Sequence, residues 1–151
     1  MSTTIVDVQP GDVAVIKAFI AQVIANAVTQ DERLLGDLRA NVEGNVDWWL
    51  AHPQDTVHLK AVRDGRVVGV VLVKQFWNLC SLFVESGSQG QGLGRALVEA
   101  AIDRCTGRSP KQALWLNAAP GAGGFYRRLG FTERPPTQAL PPGFVAMERL
   151  L

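Results

Sequence analysis

The run Gln89-Gly90-Gln91-Gly92-Leu93-Gly94-Arg95 lies between an apolar, strand-like stretch at residues 79–84 and an amphipathic helical pattern at residues 93–104. A chain built this way starts a helix directly after a strand, with glycine at alternate positions of the join. The first N–H groups of a helix are unpaired and carry the positive end of its dipole, so the amides of residues 90–95 can converge on phosphate oxygens. Gly90, Gly92 and Gly94 lack a β-carbon, can take positive φ and let a diphosphate sit against the main chain. Two other phosphate-loop patterns do not fit. A P-loop needs Gly-Lys-Ser/Thr, whereas Gly94 is followed by Arg95-Ala96, and a dinucleotide fingerprint counted from Gly90 needs glycine or alanine where Arg95 stands.

Local patterns supply the elements around this loop. Residues 5–8 alternate as a short strand, and Asp12 is placed to cap a helix carrying Val15, Ile16, Phe19, Ile20, Val23, Ile24 and Ala27 at helical spacing. Residues 31–51 are more polar, with Leu34, Leu35 and Leu38 and then Val46, Trp49 and Leu50 in two apolar sets, which predicts a broken helix ended by Pro53. Residues 57–62 and 66–73, joined across Asp64-Gly65, read as a hairpin. The connection at residues 74–77 is short, so the next strand is expected antiparallel to the hairpin's second strand. The helix after the glycine loop turns Leu93, Ala96, Leu97, Ala100 and Ala101 inward and Arg95, Glu99 and Asp103 outward. A strand at residues 114–117, a helix bearing Ala122, Phe125, Tyr126 and Leu129 with Gly130 at its C-terminal cap, and a last strand at residues 144–150 complete the pattern.

Composition agrees with this picture. At 151 residues and 47% hydrophobic, with no linker or repeat, the whole chain 1–151 is expected to form a single domain. A formal charge of +1 with scattered basic residues gives no footprint for nucleic acid, and no apolar stretch approaches the ~20 residues of a membrane span. Met1-Ser2-Thr3-Thr4 lacks the features of a secretion signal, so a cytoplasmic protein is expected. Cys80 and Cys105 have neither CxxC spacing nor nearby histidines; two buried, reduced thiols and no metal site are expected.

A second block sharpens the reading. About thirty residues beyond the glycine loop, the length a parallel crossover needs, Leu116-Asn117-Ala118-Ala119 is followed by Ala122-x-x-Phe125-Tyr126-x-x-x-Gly130-Phe131. The loop resembles the Gln/Arg-x-x-Gly-x-Gly/Ala signature, and this block the strand-and-helix signature, of the GCN5-related N-acetyltransferase (GNAT) superfamily. The resemblance implies an α/β (α+β) fold: a mixed central sheet of about six to seven strands, flanked by about four helices, with splayed fourth and fifth strands. It also implies acetyl-CoA as acetyl donor, with its pyrophosphate on Gln89, Gly90, Gln91, Gly92, Gly94 and Arg95. The pantetheine arm would pair with the main chain of Leu82, Phe83 and Val84, whose side chains are expected in the core. Ser86 stands where the family commonly has proline, and Ala119 where many relatives have Asn or Gln contacting the cofactor.

The implied activity is direct acetyl transfer to a primary amine of a small molecule or peptide. Tyr126, the chain's single tyrosine, falls on the position whose phenol in many members protonates the departing thiolate. A phenol of pKa ~10 is nearly matched to an alkyl thiol. The other reading of Tyr126 is an aromatic anchor of its helix. Asn117 is either a cleft ligand for pantetheine or substrate, or an ordinary strand end. For the general base, Asn78 replaces the glutamate that some members carry, leaving Glu85, His58 or a water relay. Trp48 and Trp49 are adjacent on a helical pattern and cannot both face the core, so one is a candidate for the acceptor cleft or a subunit contact. A homodimer through edge strands fits the fold. The alternative function is a non-catalytic acyl-CoA sensor or assembly subunit.

Overall fold

The computed structural model describes residues 2–26, 32–88 and 90–151. Among them the chain runs β1 (Thr3–Asp7), α1 (Val13–Ala25), α2 (Glu32–Ala51), β2 (Thr56–Arg63), β3 (Arg66–Lys74), β4 (Asn78–Val84), α3 (Leu93–Cys105), β5 (Ala113–Ala118), α4 (Gly123–Arg128), β6 (Thr132–Glu133) and β7 (Val145–Leu150). Gln89 and Ala27 lie outside the described residues, as do the side chains of Leu34 and Leu35.

The strands form one seven-stranded sheet in the order β1-β2-β3-β4-β5-β7-β6, antiparallel except at β4–β5. The Asp64-Gly65 turn closes the β2–β3 hairpin, and the short 75–77 connection returns β4 antiparallel to β3. Helices cover both faces. Leu97, Val98 and Ala101 of α3 pack with Leu59, Val71 and Leu114 under one face, while Ile16 and Ile20 of α1 and Val46 and Trp49 of α2 pack with Val70 and Leu72 under the other.

Four local expectations need correction. The helix over residues 32–51 is continuous, because Val42, Val46 and Trp49 share one buried stripe that offsets the roughly 1 kcal/mol each of Gly36 and Gly44 costs in a helix. Asp12 does not cap α1 with its side chain. Its carboxylate accepts the Gln9 N–H at 2.8 Å, closing a short 3-10 turn, and also the Lys60 ammonium at 2.9 Å, contacts that hold it below its ordinary pKa. Val15 points to solvent, and of the two cysteines only Cys105 is fully buried.

Two features of β4 position the site. Its register with β3 passes from Leu72↔Ser81 to Val73↔Leu79, so Cys80 is the extra residue of a bulge. The bulge sends Cys80 and Ser81 toward the same helical face, where Ser81 Oγ meets the Asn45 side chain of α2 at 3.4 Å. On its other side β4 pairs with β5 only at Asn78↔Trp115, after which the two parallel strands part.

Candidate active site

Above the opened part of β4, α3 begins. Gly92 is its N-cap and sits at φ 79°, and Gly90 at φ 82° precedes it, both in the left-handed region where only glycine is unstrained. Gly94 differs from the expectation of positive φ. It is helical, and a β-carbon there would stand 3.2 Å from Phe125 Cζ, so its smallness serves the close approach of α3 to α4. The Gln91 side chain is engaged elsewhere, accepting a hydrogen bond from Arg63 Nη1 at 2.6 Å that ties the loop to the end of β2. Arg95 is exposed and pairs with Glu99 one turn on.

This loop borders a cavity of about 620 Å³. Gly90, Gly92, Gly94 and Arg95 form one wall, Leu82 and Val84 of β4 the floor, and Phe125 and Tyr126 of α4 the far side. Phe83, between the two floor residues, turns to the other face of the sheet, as strand alternation requires. Ser88 also lines the cavity; it is buried and donates from Oγ to Glu85 Oε1 at 2.9 Å. Sequence reasoning did not single it out.

A second chamber of about 700 Å³ opens on the α2 side of the β4–β5 gap. Asn41 and Asn45 of α2, Lys74 of β3, Cys80 and Ser81 at the bulge, and Asn117 at the end of β5 line it, closed by the 138–144 segment. The described residues lining it include no carboxylate. Asn117 borders this chamber and is absent from the walls of the loop-side cavity. Asn45 had a legible signal: it interrupts the apolar stripe of Val42, Val46 and Trp49, where a buried amide needs a partner.

Tyr126, Leu82 and Ala122 border both chambers. A Schellman ending holds Tyr126 in place: the Gly130 N–H reaches Arg127 O and the Phe131 N–H reaches Tyr126 O, while the Tyr126 and Phe131 rings meet edge to face at 5.6 Å. Phe125 packs against it at 5.0 Å. Burial pushes the phenol up to about 12, which corrects the expected match with a thiol: Tyr126 holds its proton more tightly than a free phenol does.

The base candidates fall outside both chambers. Glu85 pairs with Arg66 and accepts from Ser88, contacts that hold its carboxyl below the ordinary range, and it faces a different, smaller cleft beside α1. His58 is buried in β2 against the edge of Trp49, its Nδ1 without a hydrogen-bond partner, and burial lowers its pKa to about 4. It is neutral and enclosed at neutral pH. Trp49 is in the core, whereas Trp48 is half-buried, stacked on His52 at 4.2 Å.

A family model described as an acetyltransferase (GNAT) domain matches residues 49–141. Similar solved structures include a GCN5-related N-acetyltransferase, also described as a class-II aminotransferase, from Rhodopseudomonas palustris (TM-score 0.79, 19% identity, covering 100% of this chain and 97% of that one). PaiA N-acetyltransferase from Thermoplasma acidophilum, solved in complex with coenzyme A, superposes with TM-score 0.74 at 15% identity over 100% of both chains. Ribosomal-protein-alanine N-acetyltransferase from Brucella melitensis gives 0.72 at 21% identity over 98% of this chain and 99% of that one. Among curated proteins, none matches by sequence.

Proposed function

The chain belongs to the GNAT acetyltransferase family, and from that premise we propose that it transfers the acetyl group of acetyl-CoA directly to a primary amine. One observation carries the reading: the loop-side cavity and the polar chamber meet at Tyr126, across the gap where β4 and β5 part. A donor thioester and an acceptor amine entering from opposite sides would converge there.

In this reading the pyrophosphate rests on the amides of residues 90–95, at the α3 N-terminus. The pantetheine arm follows the β4 edge at Leu82–Phe83–Val84 as an added strand. The amine, entering past Asn117 and Ser81, attacks the thioester carbonyl; the C–N bond forms, the tetrahedral adduct collapses, and the C–S bond breaks. The electron pair leaves on sulfur, and the Tyr126 hydroxyl donates to the developing thiolate. Because its pKa is about 12, Tyr126 acts chiefly as a hydrogen-bond donor that stabilises the leaving group, with solvent completing the protonation. No carboxylate faces the amine among the described lining residues, so its proton leaves through water held by the amide and hydroxyl groups of the chamber.

The coenzyme A complex of the Thermoplasma relative supports acetyl-CoA as the donor. A cytoplasmic setting is part of the same proposal. The test is release of free thiol from acetyl-CoA against a panel of primary amines. Amine-dependent release with acetylated product is expected; tight CoA binding with no transfer to any amine would make the protein an acyl-CoA sensor instead.

A further inference from the structure

Beside the polar chamber lies a smaller cavity of about 230 Å³, and the two share Asn78, Leu116 and Asn117 in their walls. Trp77 and Trp115 line it, edge to face at 5.5 Å. Two cations lie on these rings. Lys111 Nζ is 4.5 Å from the Trp77 ring centre and 4.2 Å from that of Trp115, and Arg134 Cζ is 3.8 Å from the latter. Lys74 contributes a third positive charge within the main chamber.

None of the three has a carboxylate partner among the described residues. The ion pairs found there use Asp7, Asp12, Asp47, Glu85, Glu99 and Glu133, each with another cation. Glu148, opposite Trp115 on β7, pairs with none of them. Arg134 is the best prepared. Its Nη1 donates to Pro135 O at 3.0 Å, while its Nε is buried and has no acceptor. Its guanidinium carbon lies over the Trp115 ring, and Nε and Nη2, the donor pair on one edge of the guanidinium, match the two oxygens of a carboxylate.

We infer that the acceptor is an amine that also carries a carboxylate, held by Arg134 against Trp115 in this side cavity. The positive field of Lys74, Lys111 and Arg134 admits such a molecule and disfavours polycationic amines, which find no carboxylate among the described residues lining either compartment. This rests on the acetyl-transfer reading only for the fate of the amine; anion binding at Arg134 stands apart from turnover.

The test uses amino acids with successively longer spacers between amine and carboxylate, each beside its carboxamide, and a polyamine. They are titrated into the CoA-bound protein while tryptophan emission is followed, which reads binding without turnover through the four tryptophans, Trp77 and Trp115 among them, and they are assayed as acceptors with acetyl-CoA. Binding of at least one acid about tenfold or more tighter than its amide is expected, a charge-assisted pair's worth. That preference should collapse toward unity in Arg134→Gln and be partly retained in Arg134→Lys, which keeps the charge and loses the fork. Acids binding no better than amides, or a preference that survives Arg134→Gln, overturns the subsite even if acetylation is brisk. Acid-selective binding without acetylation of any member upholds the anion site and overturns the carboxylate-bearing amine as acceptor, while thiol release with the wider amine panel decides acetyl transfer.

Discussion

Tyr126 is held by its own helix ending and by two aromatic neighbours, so its packing and its hydroxyl can be separated by one substitution. Tyr126→Phe is expected to keep the fold and most of the CoA affinity while lowering kcat by roughly 10- to 10³-fold, the usual loss for one positioned donor. Steady-state kinetics beside a melting curve checks this, and an unchanged kcat would make the residue a core anchor. A second residue-scale expectation concerns His58. Its folded pKa of about 4 lies below the ordinary 6.5, so between these values the unfolded chain binds the proton and the native one does not. Stability is therefore fully present above pH 6.5 and is lost as pH falls toward 4, by up to about 1.4 kcal/mol per pH unit and on the order of 3 kcal/mol in all. Urea titrations across this window should show a clearly shallower pH slope for His58→Leu than for wild type; equal slopes would contradict the assignment.

The α3 start and the β4 bulge do most to shape the site among the elements, and they differ in how far the sequence disclosed them. The hairpin was legible because alternation and the Asp64-Gly65 turn are local signals, and the α3 face because Leu93, Leu97 and Ala101 recur at helical spacing. The bulge at Cys80 was not, since it exists only in register with β3. Likewise Gly94 carries its meaning in a contact with Phe125, about thirty residues away, which no local pattern contains. Asp12 reads as a helix cap from its neighbours, yet Lys60 on another element shares its carboxylate. The two glycines at the α3 start should therefore fail differently. Gly92→Val forces a β-branched residue to φ 79° in open space and is expected to lower CoA affinity at least about tenfold with a modest loss of stability. Gly94→Val drives a side chain into Phe125 and is expected to lose both affinity and melting temperature. Calorimetry and thermal unfolding of the pair distinguish a misplaced cradle, which would leave both affinities intact.

At the scale of the whole molecule, one sheet opens along a single seam and the two compartments on either side of it differ in character. The loop side offers helix-start amides, and the α2 side offers side-chain amides, hydroxyls and the Lys74 ammonium, with no carboxylate among the described residues that line it. With Glu85 and His58 placed elsewhere, kcat/KM should climb about tenfold per pH unit up to the acceptor's own amine pKa. Profiles for acceptors of different basicity should shift accordingly, whereas one inflection shared by all would reveal an enzyme base. Burial raises both thiols above the ordinary range, Cys105 to about 12, and no histidine among the described residues acts on either, so neither is a prepared nucleophile. Cys80→Ala and Cys105→Ala are expected to remain active, although Cys80 borders the polar chamber. In the proposed reaction an acetyl group passes straight from thioester to amine across the β4–β5 gap. Acetyl-CoA labelled with carbon-13 at the carbonyl, mixed with protein and an accepted amine and followed by NMR, tests it most directly. The thioester resonance should convert to an amide resonance with no other labelled species between them; a persistent thioester, or label resting on the protein before it reaches the amine, would contradict the account.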